Sequence, residues 1–172
     1  MRKIILLGYM GSGKSTISKR LSKSTGIPMV DLDKCIEKRT KLSINKIFKK
    51  KGELFFRNLE REIFIELLNT PESLIIALGG GTPCYSNNHE LLVGDNKVSI
   101  YLKASVDTLT NRLFANRSKR PIIAQKSEDE LKEFIAKHLF DRSYYYNQAQ
   151  YKVSIDERTK DETAADILEI LT

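Results

Sequence analysis

The chain has 172 residues, 41% of them hydrophobic and 30% charged, and carries a formal net charge of +7. That length suits one domain with a full core, and the composition is that of a soluble globular protein. No apolar run approaches the ~20 residues of a membrane-spanning helix, and the run at 4–7 is too short for a signal peptide; no membrane role and a cytoplasmic location are expected.

In chain order, Lys3 to Leu7 reads as a buried strand, a continuous apolar run that breaks into glycines. A helix is predicted over 14–25, stopped by Gly26-Ile27-Pro28. A short strand closes on Asp31-Leu32-Asp33, followed by a helix over 34–40 and another from Ser43. Gly52 separates that helix from a longer one over 53–69, in which Phe56, Leu59, Ile63 and Leu67 recur at helical spacing. A third strand, 73–78, ends in Gly79-Gly80-Gly81. A short helix around 86–93 and a strand over 97–102 come next. Ser105 and Asp107 start a helix towards Asn116. A polar arginine-bearing segment then leads to a helix from Ser127 to about Tyr146. A strand over 151–155 and a helix from about Asp161 complete an α/β domain with a central parallel sheet. Ligands belong at the carboxyl ends of such strands.

From Gly8 the residues read G-x-x-x-x-G-K-S between strand and helix, the phosphate-binding P-loop in its required context. Glycines let backbone N–H groups of Gly11, Ser12, Gly13, Lys14, Ser15 and Thr16 converge on phosphate oxygens, and the helix dipole adds to that field. Lys14 is placed to reach the β- and γ-phosphates, and Ser15 to ligate Mg²⁺. The chain is therefore expected to bind a nucleotide. Of Asp31 and Asp33, one can hold the metal and the other can accept a hydrogen bond from an acceptor hydroxyl. The third strand lacks the terminal aspartate of a GTPase or motor ATPase, and no guanine-reading Asn-Lys-x-Asp occurs. Both absences point to a small-molecule kinase. Gly79, Gly80 and Gly81 permit close backbone approach to a ligand. Arg57 and Arg142 carry forks suited to a carboxylate or phosphate. Arg117 and Arg120 lie in a segment suited to a lid.

In order, the P-loop, Asp31-Leu32-Asp33, the run from Ile47-Phe48 through Gly52-Glu53 and Phe56-Arg57 to Glu60, Gly79-Gly80-Gly81, Arg120-Pro121 and Arg142-x-x-Tyr145 resemble the shikimate kinases along nearly the whole chain. The resemblance implies a single P-loop kinase domain over 1–172. Its five-stranded parallel sheet would be sandwiched between helices, with a shikimate-binding helical segment at about 33–61 and a lid at about 112–124. It implies ATP- and Mg²⁺-dependent phosphorylation of the 3-hydroxyl of shikimate, on the route to chorismate and aromatic amino acids, by a monomer. Carried over by position, Asp33 would hold the ring hydroxyls and serve as base. Arg57 and Arg142 would take the carboxylate, with the Gly79–Gly81 backbone beside it. Glu60 would orient Arg57, while Phe48 and Phe56 would wall the pocket. Lys14 and Arg120 would stabilise the moving phosphoryl group, and Ser15 and Asp31 would hold Mg²⁺. Arg117 would pack on adenine, with a further contact near Arg158. The lid reads Arg120-Pro121-Ile122-Ile123 where a leucine pair is more usual, a nearly volume-conserving exchange.

The charge is uneven. Residues 1–60 hold 15 Lys/Arg against 5 Asp/Glu, a balance of +10, and residues 61–172 hold 14 against 17, a balance of −3. A nucleic-acid face would need interleaved aromatics or a recognition motif around Lys49-Lys50-Lys51, and neither is present; solvated helix surfaces and no nucleic-acid partner are expected. Cys35 and Cys84 match no metal spacing and are expected to stay reduced.

Overall fold

The computed structural model describes residues 2–119 and 122–172. Its centre is β1 (Lys3–Leu7), whose five residues are all buried. β1 lies between β3 (Leu74–Ala77) and β4 (Lys97–Lys103). β2 (Met29–Asp31) and β5 (Tyr151–Ser154) form the edges, giving the order β2-β3-β1-β4-β5 with every pair parallel. A strand covered on both faces must be apolar along its length, which is why β1 and β3 read as unbroken hydrophobic runs. The exception at the start of β1 is Lys3, 5% exposed. Its ammonium donates to the carbonyl and hydroxyl of Thr70 and to the carbonyl of Glu72, so the buried charge is solvated by backbone.

The helices α1 (Lys14–Thr25), α2 (Leu32–Thr40), α3 (Ile44–Asn69), α4 (Val106–Phe114), α5 (Glu128–Tyr146) and α6 (Lys160–Leu171) flank the sheet. Each start has a local cause. Ser43, Ser105, Ser127 and Thr159 accept hydrogen bonds from the first-turn amides, and Ser127 with Glu130 and Thr159 with Glu162 close reciprocal capping boxes. Gly52, expected to separate two helices, interrupts α3 at φ 82° and ψ 171°.

Three local features differ from the sequence reading. The stretch 86–93 is not an α-helix. A 3₁₀ turn spans Thr82–Cys84 and another Asn88–Leu92, because Ser86 and Asn87 take φ of 51° and 54° and stop helical propagation. α4 ends at Phe114, and a 3₁₀ turn follows over Arg117–Lys119. α2 begins at Leu32, two residues earlier than expected, because the Asp31 carboxylate accepts the Lys34 amide as N-cap. Asp33 therefore stands in the first turn of a helix rather than in a loop, which gives it a fixed direction.

Candidate active site

β1 delivers the chain into the P-loop with almost no room to spare. A Cβ on Gly8 (φ 144°) would come within 2.8 Å of the Leu102 carbonyl, so only glycine lets the loop leave the sheet here. Gly13, at φ 97°, is the N-cap of α1, and the helix axis starts under the loop. The Lys14 ammonium curls back and donates to the carbonyls of Gly8 at 2.7 Å and Tyr9 at 3.0 Å. The Ser15 hydroxyl donates to Asp31 Oδ2 at 2.7 Å. The two residues assigned to the metal thus meet from different elements, one on α1 and one at the carboxyl end of β2.

A cleft of about 1080 Å³ opens over this loop. Gly11, Gly13, Lys14, Ser15 and Thr16 line its floor, Asp31, Asp33, Gly79 and Gly80 one end, and Arg112, Asn116 and the segment 158–161 the other. At the aspartate end, a Cβ on Gly79 would meet Asp33 Oδ1 at 2.9 Å, Thr82 Oγ1 at 3.0 Å and Glu60 Oε1 at 3.3 Å. Glycine is required because three polar side chains converge on its α-carbon. Burial, the Asp31 charge and then the Glu60 charge raise the Asp33 carboxyl to about 6, with Lys14 pulling the other way. A carboxylate with that affinity for a proton is fitted to take one from a hydroxyl near neutral pH.

Glu60 is 1% exposed. One of its oxygens accepts from Arg57 at 2.8 Å and the other from the Thr82 hydroxyl at 2.6 Å. The Arg57 guanidinium lies over the Tyr85 ring at 3.8 Å and the Phe56 ring at 5.0 Å, and against the α-carbon of Gly81. Phe48 packs on Phe56 with ring centroids 4.6 Å apart. Arg142 comes from α5, and its NH1 reaches the Gly80 carbonyl at 3.3 Å. Two arginines 85 positions apart therefore dock on neighbouring residues of one glycine loop. The amides of Gly79, Gly80 and Gly81 have no acceptor among the described residues. Beside two guanidinium groups, open N–H donors make an anion-binding corner.

The expected nucleotide contacts divide differently. Arg117 folds onto Phe114, donating to its carbonyl at 3.0 Å with the guanidinium 3.8 Å from the ring centroid, and does not line the cleft. Arg112, five residues earlier and inside α4, does line it and reaches towards the Gly11 carbonyl. Arg158 also lines the cleft, as does Arg20, paired with Asp161 at 2.9 Å. Arg120, the expected catalytic residue of the lid, and Pro121 beside it lie outside the described residues. Both cysteines are free thiols, and burial pushes Cys84 up to about 11.

Sequence reading missed Thr82, Tyr85, Arg112 and Tyr146. It singled out Tyr145, which stands edge-on to His89 at 5.2 Å. The i,i+4 geometry of α5 instead carries Tyr146 alongside Arg142, and its hydroxyl donates to the Gly80 carbonyl at 2.6 Å. That spacing was the available signal.

A family model described as shikimate kinase matches residues 10–172. The shikimate kinase of Flavobacterium johnsoniae is 66% identical over 99% of both chains. The crystal structure of a shikimate kinase from Bacteroides thetaiotaomicron superposes with a TM-score of 0.91 at 34% identity, covering 99% of this chain and 98% of that one. A shikimate kinase from Acinetobacter baumannii, solved in complex with shikimate, gives 0.86 at 28% identity over 99% and 93%.

Proposed function

The chain belongs to the shikimate kinase family and catalyses ATP-dependent phosphorylation of shikimate, and we propose that Asp33 is the base that activates the acceptor hydroxyl. In this reading the shikimate carboxylate lies in the corner made by Arg57, Arg142 and the Gly79–Gly81 backbone. That placement turns the hydroxyl edge of the ring, with its 3-hydroxyl, towards Asp33. As the hydroxyl oxygen bonds to the γ-phosphorus, its proton passes to Asp33 and the bond to the β,γ-bridging oxygen breaks, leaving ADP. Lys14 exchanges the loop carbonyls it holds for phosphate oxygens. With the P-loop amides, it stabilises the charge that builds on the transferring group. Arg120 of the lid adds to that charge, Arg112 and Arg158 flank the base and ribose from the cleft wall, and Arg117 packs on adenine only after leaving the Phe114 ring.

A hard-oxygen pair, Ser15 Oγ and Asp31 Oδ2, sits beside the phosphate loop, and that donor set fits Mg²⁺, which takes one or two protein oxygens and completes its shell with water and phosphate. Bound there, Mg²⁺ would supply charge neutralisation to the phosphates during transfer. The remaining elements of the reading are a helical segment over 33–61 that holds shikimate, a lid over 112–124, and a cytoplasmic monomer.

The observation that carries this reading is the position of Asp33. It is a partly buried carboxylate of raised proton affinity, in the cleft that holds Lys14 and next to the arginine corner. The test is ADP release with ATP and Mg²⁺ in the presence of shikimate, gluconate, AMP or no acceptor. Shikimate alone should support release. Release with another acceptor would keep the phosphate site and discard the assignment of the corner.

A further inference from the structure

Arg142 is set apart from an ordinary surface arginine by what lies beneath it. α5 turns a stripe at i,i+4 spacing, Phe134, His138, Arg142 and Tyr146, towards the P-loop and the glycine loop. Tyr146 is fully buried, and its hydroxyl donates to the Gly80 carbonyl at 2.6 Å, the acceptor that Arg142 NH1 also reaches. Tyr9, itself 1% exposed, places its ring 5.4 Å from the Arg142 guanidinium and has its hydroxyl 3.0 Å from His138 Nδ1. One edge of the guanidinium is therefore docked on protein. Its remaining N–H groups have no carboxylate partner among the described residues.

We propose that Tyr146 is a positioning residue for recognition of the substrate's carboxylate. Its hydroxyl holds the Gly80 carbonyl in place and thereby fixes both the guanidinium docked on it and the plane of the Gly80–Gly81 peptide. A trans peptide is rigid, so anchoring one carbonyl also sets the direction of the following N–H. Gly80 is a residue whose backbone would otherwise wander, because glycine has no side chain to restrict it. Burial drives the Tyr146 phenol far above its ordinary range, with Arg142 opposing, so the hydroxyl remains a donor at any working pH. The gain is preorganisation: donor directions are fixed before the anion arrives, and less freedom is lost on binding.

This inference rests on the reading that Arg142 and the glycine loop take the carboxylate, and the experiment separates the two. Shikimate and its neutral methyl ester are compared as acceptors for the wild type, Tyr146→Phe and Arg142→Ala, with ATP binding as the check on folding. Tyr146→Phe should raise the shikimate KM about tenfold, in line with loss of one charge-coupled hydrogen bond, with kcat within about twofold and the ester's kcat/KM nearly unchanged. An equal loss on both acceptors, or none on shikimate, overturns the role of Tyr146. If Arg142→Ala discriminates no less well than wild type, the carboxylate assignment itself fails. In the unmodified protein, the Gly81 amide resonance should shift with shikimate and not with the ester. A Gly81 amide indifferent to shikimate counts equally against the proposal.

Discussion

The phosphate end of the site and the acceptor end beside it are built on different principles. The phosphate end is a single stretch of chain, Gly8 to Thr16, in which backbone does most of the work and each glycine is demanded by a local φ or a close carbonyl. The acceptor end draws Asp33 from α2, Arg57 and Glu60 from α3, Gly79 to Thr82 from the turn after β3, and Arg142 and Tyr146 from α5. Here side chains are held by other side chains. A binding surface for a group common to many ligands can be local and stereotyped. Recognition of one small acid needs several directions at once, and those come from separate elements.

That division is sharpened by variants that act on one end alone. Lys14→Met removes the mobile charge of the phosphate end and should lower kcat by roughly 10²–10³-fold. Shikimate binding without nucleotide should be unaffected, as read by calorimetry. Arg57→Ala removes a charge-assisted contact from the acceptor end, so the shikimate KM should rise roughly 10–100-fold with the ATP KM unchanged. A matching rise in both KM values would break the comparison. Thr82→Val leaves one buried oxygen of Glu60 without its donor while keeping volume. We expect a shikimate KM roughly three- to tenfold higher and a melting temperature lower by about 3 °C.

A different kind of effect concerns pH and stability. The folded state raises Asp33 from 3.8 to about 6, so it binds that proton more tightly than the unfolded chain does. Its contribution to stability is thus greatest below pH 3.8 and is lost as pH rises through about 6. Asp33→Asn, which removes the buried charge, should melt several degrees above wild type at pH 7 and close to it at pH 4. Equal melting temperatures at both values would mean that the site carries no stored electrostatic cost.

The strands, the P-loop and the capped helices were legible because their causes are local: an apolar run, a glycine spacing, a serine three residues before a glutamate. The types of residue at the acceptor end were legible through the resemblance. So was the pairing of Glu60 with Arg57, whereas the partners beyond it were not. Nothing in the spacing of Glu60 and Thr82 reveals that one carboxylate serves both Thr82 and Arg57, because the contact is made across the turn after β3. Tyr146 was missed in favour of Tyr145 because three successive tyrosines look alike until the helical phase relative to Arg142 is fixed. Arg112 was passed over because an arginine inside a helix gives no sign of what it faces until that helix is placed beside the P-loop.

The central claim is that Asp33 accepts the proton of the shikimate hydroxyl, and turnover by Asp33→Asn beside wild type tests it most directly. With ATP affinity and folding intact, shikimate-dependent ADP release should fall by about 10²–10⁴-fold. Release within twofold of wild type would contradict the claim and leave Asp33 as a ligand to the ring hydroxyls without a part in proton transfer.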